Sequence, residues 1–202
     1  MLKNFLKSPV VYQSFQEAGG FFGARIKAVK EFLSIEAGAS ILDIGCGPGY
    51  ILDYLPKGVQ YVGFDIDPLY VNHAKANFGN RGRFFCRLFD ASAAKEFYPV
   101  DIVMMNGVLH HISDAELAGT LANVRDALRP GGLLFSLDGC YRDGQSAFRK
   151  WMLDNDRGEY VRDEQGYMAI LGKVFSTVDL HVREQYSRIP YTFVVGISKK
   201  AA

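Results

Sequence analysis

From about residue 40 onward, short runs rich in apolar and β-branched residues alternate with longer stretches in which apolar positions recur every three or four residues. Ser40-Ile41-Leu42-Asp43-Ile44, Gln60-Tyr61-Val62-Gly63-Phe64, Arg83-Phe84-Phe85-Cys86-Arg87, Ile102-Val103-Met104-Met105 and Leu133-Leu134-Phe135-Ser136-Leu137 each predict a strand. Several are apolar almost throughout, the pattern of parallel strands covered on both faces. Helices are expected between them. The clearest begins at Ser113, because Ser113-Asp114-Ala115-Glu116 is a capping box, after which Leu117, Leu121, Val124 and Leu128 share one face. Pro130-Gly131-Gly132 then ends it. Before the sheet, Phe22, Ile26, Val29 and Leu33 stand at helical spacing, and residues 11–18 predict a shorter helix. After it, Val178, Leu180 and Val182 alternate with polar residues, and Tyr191 to Ile197 follows Pro190, so a closing antiparallel pair is expected. The alternation defines an α/β chain.

With 202 residues, 49% hydrophobic and 22% charged, the chain can bury a core of its own and is read as one domain. Lys and Arg number 23 against 22 Asp and Glu, and no run of like charge interrupts the balance, so nucleic acid is not expected as a partner. No apolar run approaches the 18 residues of a membrane span, and the N-terminal residues lack the features of a secretion signal. A cytoplasmic location without membrane attachment is expected. Cys46, Cys86 and Cys140 are odd in number and widely spaced, which favours reduced thiols over disulfides or a zinc site.

The informative segment is Asp43-Ile44-Gly45-Cys46-Gly47-Pro48-Gly49-Tyr50, an apolar strand running into three alternating glycines. Glycines let the backbone turn sharply and approach a ligand with no Cβ in the way, so a nucleotide-like cofactor is the natural occupant. A dinucleotide fingerprint requires Gly-x-Gly-x-x-Gly, but Tyr50 holds the third-glycine position and the glycine comes one residue early. That weakens an NAD-dependent oxidoreductase. Instead Asp43-x-Gly45-x-Gly47-x-Gly49 resembles the first motif of class I S-adenosylmethionine-dependent methyltransferases, in particular small bacterial members. Asp65 lies 20 residues after Gly45 at the end of the second strand, where an acceptor-only carboxylate can take both hydroxyls of a ribose.

Further landmarks follow in order over about residues 38–138. The resemblance assigns Asp90 and Ala91 to the adenine, the amino group to the acid and the ring edge to a backbone amide. Asn106, Gly107 and Val108, in Asn106-Gly107-Val108-Leu109-His110-His111, would pass beside the sulfonium into the acceptor pocket, and Leu128-Arg129-Pro130-Gly131-Gly132 matches the turn before the fifth strand. It implies a Rossmann-like, seven-stranded, mostly parallel sheet in order 3-2-1-4-5-7-6, the last strand antiparallel, with helices on both faces. Residues 1–37 would be an N-terminal helical segment, 38–138 the cofactor-binding core and 139–202 an acceptor-side helix with closing strands.

Asp43, Gly45, Cys46, Gly47, Gly49, Asp65 and Ile66 thus form the candidate cofactor site; the resemblance implies that Tyr12 from the N-terminal segment closes over it, with hydrophobic docking of that segment as the alternative. Asp43 could accept from amides of the loop. Ile66 could cover one adenine face or pack in the core, and Asp67 is expected to cap the next helix. Cys46 is read as a small residue between glycines and not as a reactive thiol. His111 is a candidate general base because an unperturbed imidazole is largely neutral at pH 7; the remaining histidines lie at no metal-ligand spacing, so no metal is expected. Arg142, Arg149, Arg157, Arg162 and Arg188, with the aromatics Trp151, Tyr160, Tyr167 and Tyr191, could line an acceptor pocket. The resemblance implies methyl transfer to a small molecule, with a sugar or surface-polysaccharide precursor suggested by some relatives. A cofactor-binding module without catalysis is the alternative.

Overall fold

Residues 19–202 are described in a computed structural model of the chain. Helix α1 (Phe21–Phe32) leads into β1 (Ser40–Ile44), a 3-10 turn (Tyr50–Tyr54), β2 (Gln60–Asp65), α2 (Pro68–Phe78), β3 (Gly82–Cys86), α3 (Ala91–Phe97) and β4 (Val100–Asn106). A second 3-10 turn (Leu109–His111) precedes α4 (Asp114–Ala127), β5 (Leu128–Tyr141), α5 (Ala147–Asp154), the two-residue β6 (Arg162–Asp163), α6 (Glu164–Leu171), β7 (Thr177–Arg183) and β8 (Phe193–Lys199). Tyr12 and the helix expected over residues 11–18 lie outside the described residues.

The main sheet runs β3-β2-β1-β4-β5-β8-β7, the path expected from the resemblance. All pairs are parallel except those of β8, which runs antiparallel to both β5 and β7. The count differs from seven because β6 pairs with β5 off this path. Side chains alternate across the strands, so Ile41, Tyr61, Met104 and Phe135 enter one core with α1 and α5, while Leu42, Val62, Val103 and Leu134 enter the other with α3, α4 and α6. Both faces are covered, which is why the strands could be apolar throughout.

Local chemistry set most element starts. Ser113 caps α4 by accepting from the Glu116 N–H, and its hydroxyl donates to the Glu116 carboxylate at 2.7 Å. Asp67 caps α2 by accepting from the Leu69 N–H at 2.8 Å. The end of α4 corrects the expectation. Helix α4 stops at Ala127 and β5 starts at Leu128, so Leu128 is a strand residue and Pro130-Gly131-Gly132 lies inside the strand at a shift in its register with β4. The last strand likewise begins at Phe193 instead of Tyr191. Among the described residues no helix is long and apolar enough to cross a membrane.

Candidate active site

Strand order reverses between β1 and β4, and in an open α/β sheet that reversal leaves a crevice beyond the carboxyl ends of the strands. A cavity of about 670 Å³ opens there. Its floor is the glycine turn after β1. Gly45 and Gly47 have φ of +74° and +56°, a region that L side chains rarely adopt. A Cβ on Gly45 would sit 2.5 Å from the Val108 side chain, whereas one on Gly47 would enter open space. Gly47 therefore leaves bare backbone facing the cavity.

Gly49 plays a different part. It does not line the cavity, and a Cβ there would meet Phe78, Ala74 and Phe84 at 3.1–3.3 Å. With φ at +83°, it lets the chain turn into the 3-10 helix beneath α2 and β3. Gly49→Ala should lower stability by about 1–2 kcal/mol through left-handed strain while leaving cofactor affinity within about twofold. Thermal melting beside calorimetric titration checks this; a large affinity loss in a stable protein would return Gly49 to the binding site.

The loop amides are already engaged. Gly45 and Cys46 both donate to the Phe64 carbonyl, at 2.8 and 3.0 Å, Gly49 donates to Cys46, and Gly47 donates to Asp65 Oδ2 at 2.8 Å. Pro48 has no N–H. A pyrophosphate-binding turn needs free amides, so this one is built for something else. The side chains beside it confirm the polarity: Asp43 Oδ1 and Asn106 Oδ1 are buried acceptors with no partner. Asp43 does not accept from the loop amides, the alternative considered from sequence; its Oδ2 takes the Tyr61 hydroxyl at 2.6 Å. Burial lifts its carboxyl to about 7, against the Tyr61 hydrogen bond and the nearby Arg25 charge.

Asp65 stands at the end of β2 with Oδ2 on the Gly47 amide and Oδ1 on the Asp67 amide at 2.9 Å. Next to it Ile66 is 69% exposed and Leu88 73%, an unusual display of two apolar side chains at a cavity wall. Ile66 is thus a cavity residue and not a core residue. Asp90 and Ala91 do not line the cavity: Asp90 caps α3 by accepting from the Ala93 N–H at 2.9 Å, and Leu88 and Phe89 take the wall position instead. Cys46 lines the cavity, but burial pushes its thiol well above the ordinary range, so it is no nucleophile.

Gly107 and Val108 continue from Asn106 along the opposite wall to His111. Burial, then the charge of His110, push the His111 imidazole down to about 4. It is neutral at pH 7. Among the arginines considered from sequence, only Arg157 lines the cavity; Arg149 is held by the carbonyls of Glu184 and Tyr191, and Arg162 by those of Leu109, Tyr160 and Ile112 and by Asp114. Tyr167 and Tyr191 are core residues, and Trp151 and Tyr160 are exposed outside the cavity. Sequence reasoning missed Arg25 and Tyr70, which reach the cavity from α1 and α2. Arg25 flanks the apolar stripe of the predicted first helix and Tyr70 follows the Asp67 cap, and neither position belongs to a motif.

Residues 42–134 match the family model of a methyltransferase domain. An uncharacterized methyltransferase from Mycolicibacterium vanbaalenii is 30% identical over 99 residues, which are 48% of this chain and 38% of that protein. The chain spans half or less of the length of the curated relatives it matches. In fold it is similar to a TehB-like methyltransferase from Corynebacterium glutamicum, with a TM-score of 0.63 and 19% identity over 95% of this chain and 94% of that one. It is also similar to phosphoethanolamine N-methyltransferase 2 of Haemonchus contortus, solved with S-adenosyl-L-methionine, with a TM-score of 0.72 and 16% identity over 100% of this chain and 60% of that one. Residues 42–134 thus resemble a methyltransferase domain, and the fold around them is that of solved S-adenosylmethionine-dependent methyltransferases.

Proposed function

We propose that the chain transfers a methyl group from S-adenosylmethionine to a small-molecule acceptor. The observation that carries this reading is the polarity of the glycine turn: engaged amides and two unpartnered buried acceptors suit an ammonium group, not a pyrophosphate. Asp43 and Asn106 would hold that ammonium, and Arg25, the neighbouring guanidinium, the carboxylate of the same amino-acid group. Asp65 would take the ribose hydroxyls, and Ile66 and Leu88 the faces of the adenine. A cavity of about 670 Å³ is ample for such a ligand together with a small acceptor. The domain reading of residues 1–202 as one unit belongs to this proposal.

The bound cofactor supplies a sulfonium methyl group that is open to in-line displacement by an acceptor atom. The chain's task is then to align the acceptor and exclude water, and alignment alone is worth about 7–11 kcal/mol. Phe22, Tyr50 and Phe89 give the cavity its apolar lining. His111 is neutral throughout the physiological range and can accept a hydrogen bond from a hydroxyl acceptor, orienting a lone pair toward the methyl group. A base pushed down to about 4 contributes less than one poised near 7, so orientation outweighs proton removal in its role. His111→Ala should slow transfer to an oxygen acceptor at least tenfold, and the wild-type rate should show no ionisation from this residue between pH 6 and 9. An unchanged rate with an oxygen acceptor would remove His111 from the reaction.

A sugar or surface-polysaccharide precursor remains the acceptor class proposed from the sequence resemblance. The test is direct: calorimetric titration with S-adenosylhomocysteine should show one site, and turnover of methyl-labelled cofactor over a metabolite panel separates an enzyme from a non-catalytic binding module. Saturable binding of NAD with none of S-adenosylhomocysteine would reverse the assignment.

A further inference from the structure

Tyr61 of β2 is a phenol buried to 3% exposure among the apolar side chains on the α1 face of the sheet. Its ring lies 5.8 Å from that of Phe84 between centroids, and Gly82 makes room for it, since a Cβ there would lie 2.8 Å from the ring. A buried hydroxyl needs a partner. For Tyr61 the partner is Asp43 Oδ2, at 2.6 Å. Directly opposite Asp43 in the β1–β2 register stands Gly63, where a Cβ would meet Cys46 and Phe84 at 2.8–3.0 Å. The polar contact therefore comes from two residues earlier on the same face of β2.

The two oxygens of the Asp43 carboxyl are thus unequal. Tyr61 fills Oδ2, while Oδ1 is buried, has no partner and belongs to a residue that lines the cavity. An ammonium group has three donors and no acceptor, so it gains from Oδ1 only when the carboxyl is ionised, because a protonated carboxyl presents an O–H. Burial alone works against ionisation. The Tyr61 hydrogen bond and the charge of Arg25 on α1 favour the ionised form, and Asp65 at the end of β2 opposes it. The Cys46 thiol of the glycine turn is held neutral, and β4 brings only the uncharged Met104 opposite Asp43 and Asn106 at the cavity. The balance falls at about 7, so at pH 7 roughly half of the molecules carry a proton on Asp43.

Building on the methyl-transfer reading, in which Asp43 takes the ammonium of the cofactor, we propose that Tyr61 is a positioning residue for that contact. Its hydroxyl fixes Asp43 Oδ2 and leaves Oδ1 to the ammonium, and the proton carried by Asp43 passes to solvent as the cofactor binds. Calorimetry on the full chain tests this with S-adenosylhomocysteine and with 5′-methylthioadenosine, which has the same nucleoside and sulfur but no amino-acid group. Wild-type affinity for S-adenosylhomocysteine should fall about tenfold from pH 8 to pH 6, as a group titrating near 7 requires, and that for 5′-methylthioadenosine should change less than about twofold. Tyr61→Phe keeps the ring against Phe84 and Gly82 and removes only the hydroxyl. It should weaken S-adenosylhomocysteine at least about tenfold at pH 7, move the pH profile to higher pH and leave 5′-methylthioadenosine within about twofold. Asp43→Asn should flatten the profile. A flat wild-type profile for S-adenosylhomocysteine, or one that Asp43→Asn leaves in place, overturns the proposal whether or not Tyr61→Phe folds. So does a Tyr61→Phe protein with an unshifted profile, or one that loses both ligands equally. Absence of S-adenosylhomocysteine binding to the wild type at every pH would instead sink the methyl-transfer reading beneath it.

Discussion

Asp65→Ala is expected to weaken S-adenosylhomocysteine binding at least 100-fold, about 3 kcal/mol, with the fold retained. The carboxylate acts twice. Its two oxygens accept from the amides of Gly47 and Asp67, which pins the glycine turn to the end of β2. An ionised carboxylate has about four lone-pair sites, so two remain for a diol. Each charge-assisted hydrogen bond is worth about 1.5–3 kcal/mol, and alanine removes those to the ligand while releasing the turn that shapes its site. Asp65→Asn should be nearly as damaging, because its amide NH2 must face one of the two backbone N–H donors. Calorimetric titration beside a thermal melt reads both effects. An affinity within threefold of wild type in either variant would withdraw Asp65 from the ribose.

What the sequence made legible was whatever is decided within a few residues. The Ser113 capping box, the Asp67 cap and the strand-to-glycine turn after Ile44 depend on local hydrogen bonds and backbone freedom, and each stands where its motif placed it. Leu128 shows where this fails. It satisfies the apolar face of a helix and the first position of a strand equally well, and pairing with Val100 of β4 decides for the strand. Gly47 and Gly49 are alike in sequence and both left-handed; only the direction of the missing Cβ, toward the cavity or into α2 and β3, separates a binding glycine from a packing one. Asp90 stands at the expected place after β3 but is engaged by the start of α3, so the cavity wall passes to Leu88 and Phe89.

Long-range meetings were illegible for the same reason. Arg25 and Arg157 are separated by most of the chain, and their shared cavity depends on the packing of α1 and on the loop after α5. The adjacent pair His110 and His111 looks interchangeable on the page. The 3-10 turn points them differently, one into a pair of carboxylates and the other to the cavity. Helix α6 had no distinct signal, because its eight residues are too few for a periodicity to stand out.

Replacing His110 with glutamine is expected to destabilise the protein by about 3–5 kcal/mol near pH 6, the cost of leaving buried carboxylates without their cation. Burial alone would favour the neutral imidazole, but the hydrogen bonds and charges of Asp138 and Asp156 outweigh it and push His110 up to about 9. Asp156, despite its burial, is pulled down to about 2 by the same partner. The signs fix the pH window. For His110, a folded value above the ordinary 6.5 gives a contribution fully present below about 6.5 and lost as pH rises through about 9. For Asp156, a folded value below 3.8 gives one present above that pH and lost as it falls toward 2. Other groups impose their own pH dependence, since Asp43, raised to about 7, favours the folded chain at low pH and His111, lowered to about 4, opposes it. Comparison with His110→Gln at each pH cancels most of these. The stability gap between wild type and variant, measured by urea unfolding, should be widest between pH 5 and 6.5 and should shrink by most of its size by pH 10. A gap that stayed constant over that range would mean that His110 is held neutral, and that packing against Gly158, where a Cβ would lie 1.9 Å from the His110 ring, not charge, secures the loop after α5.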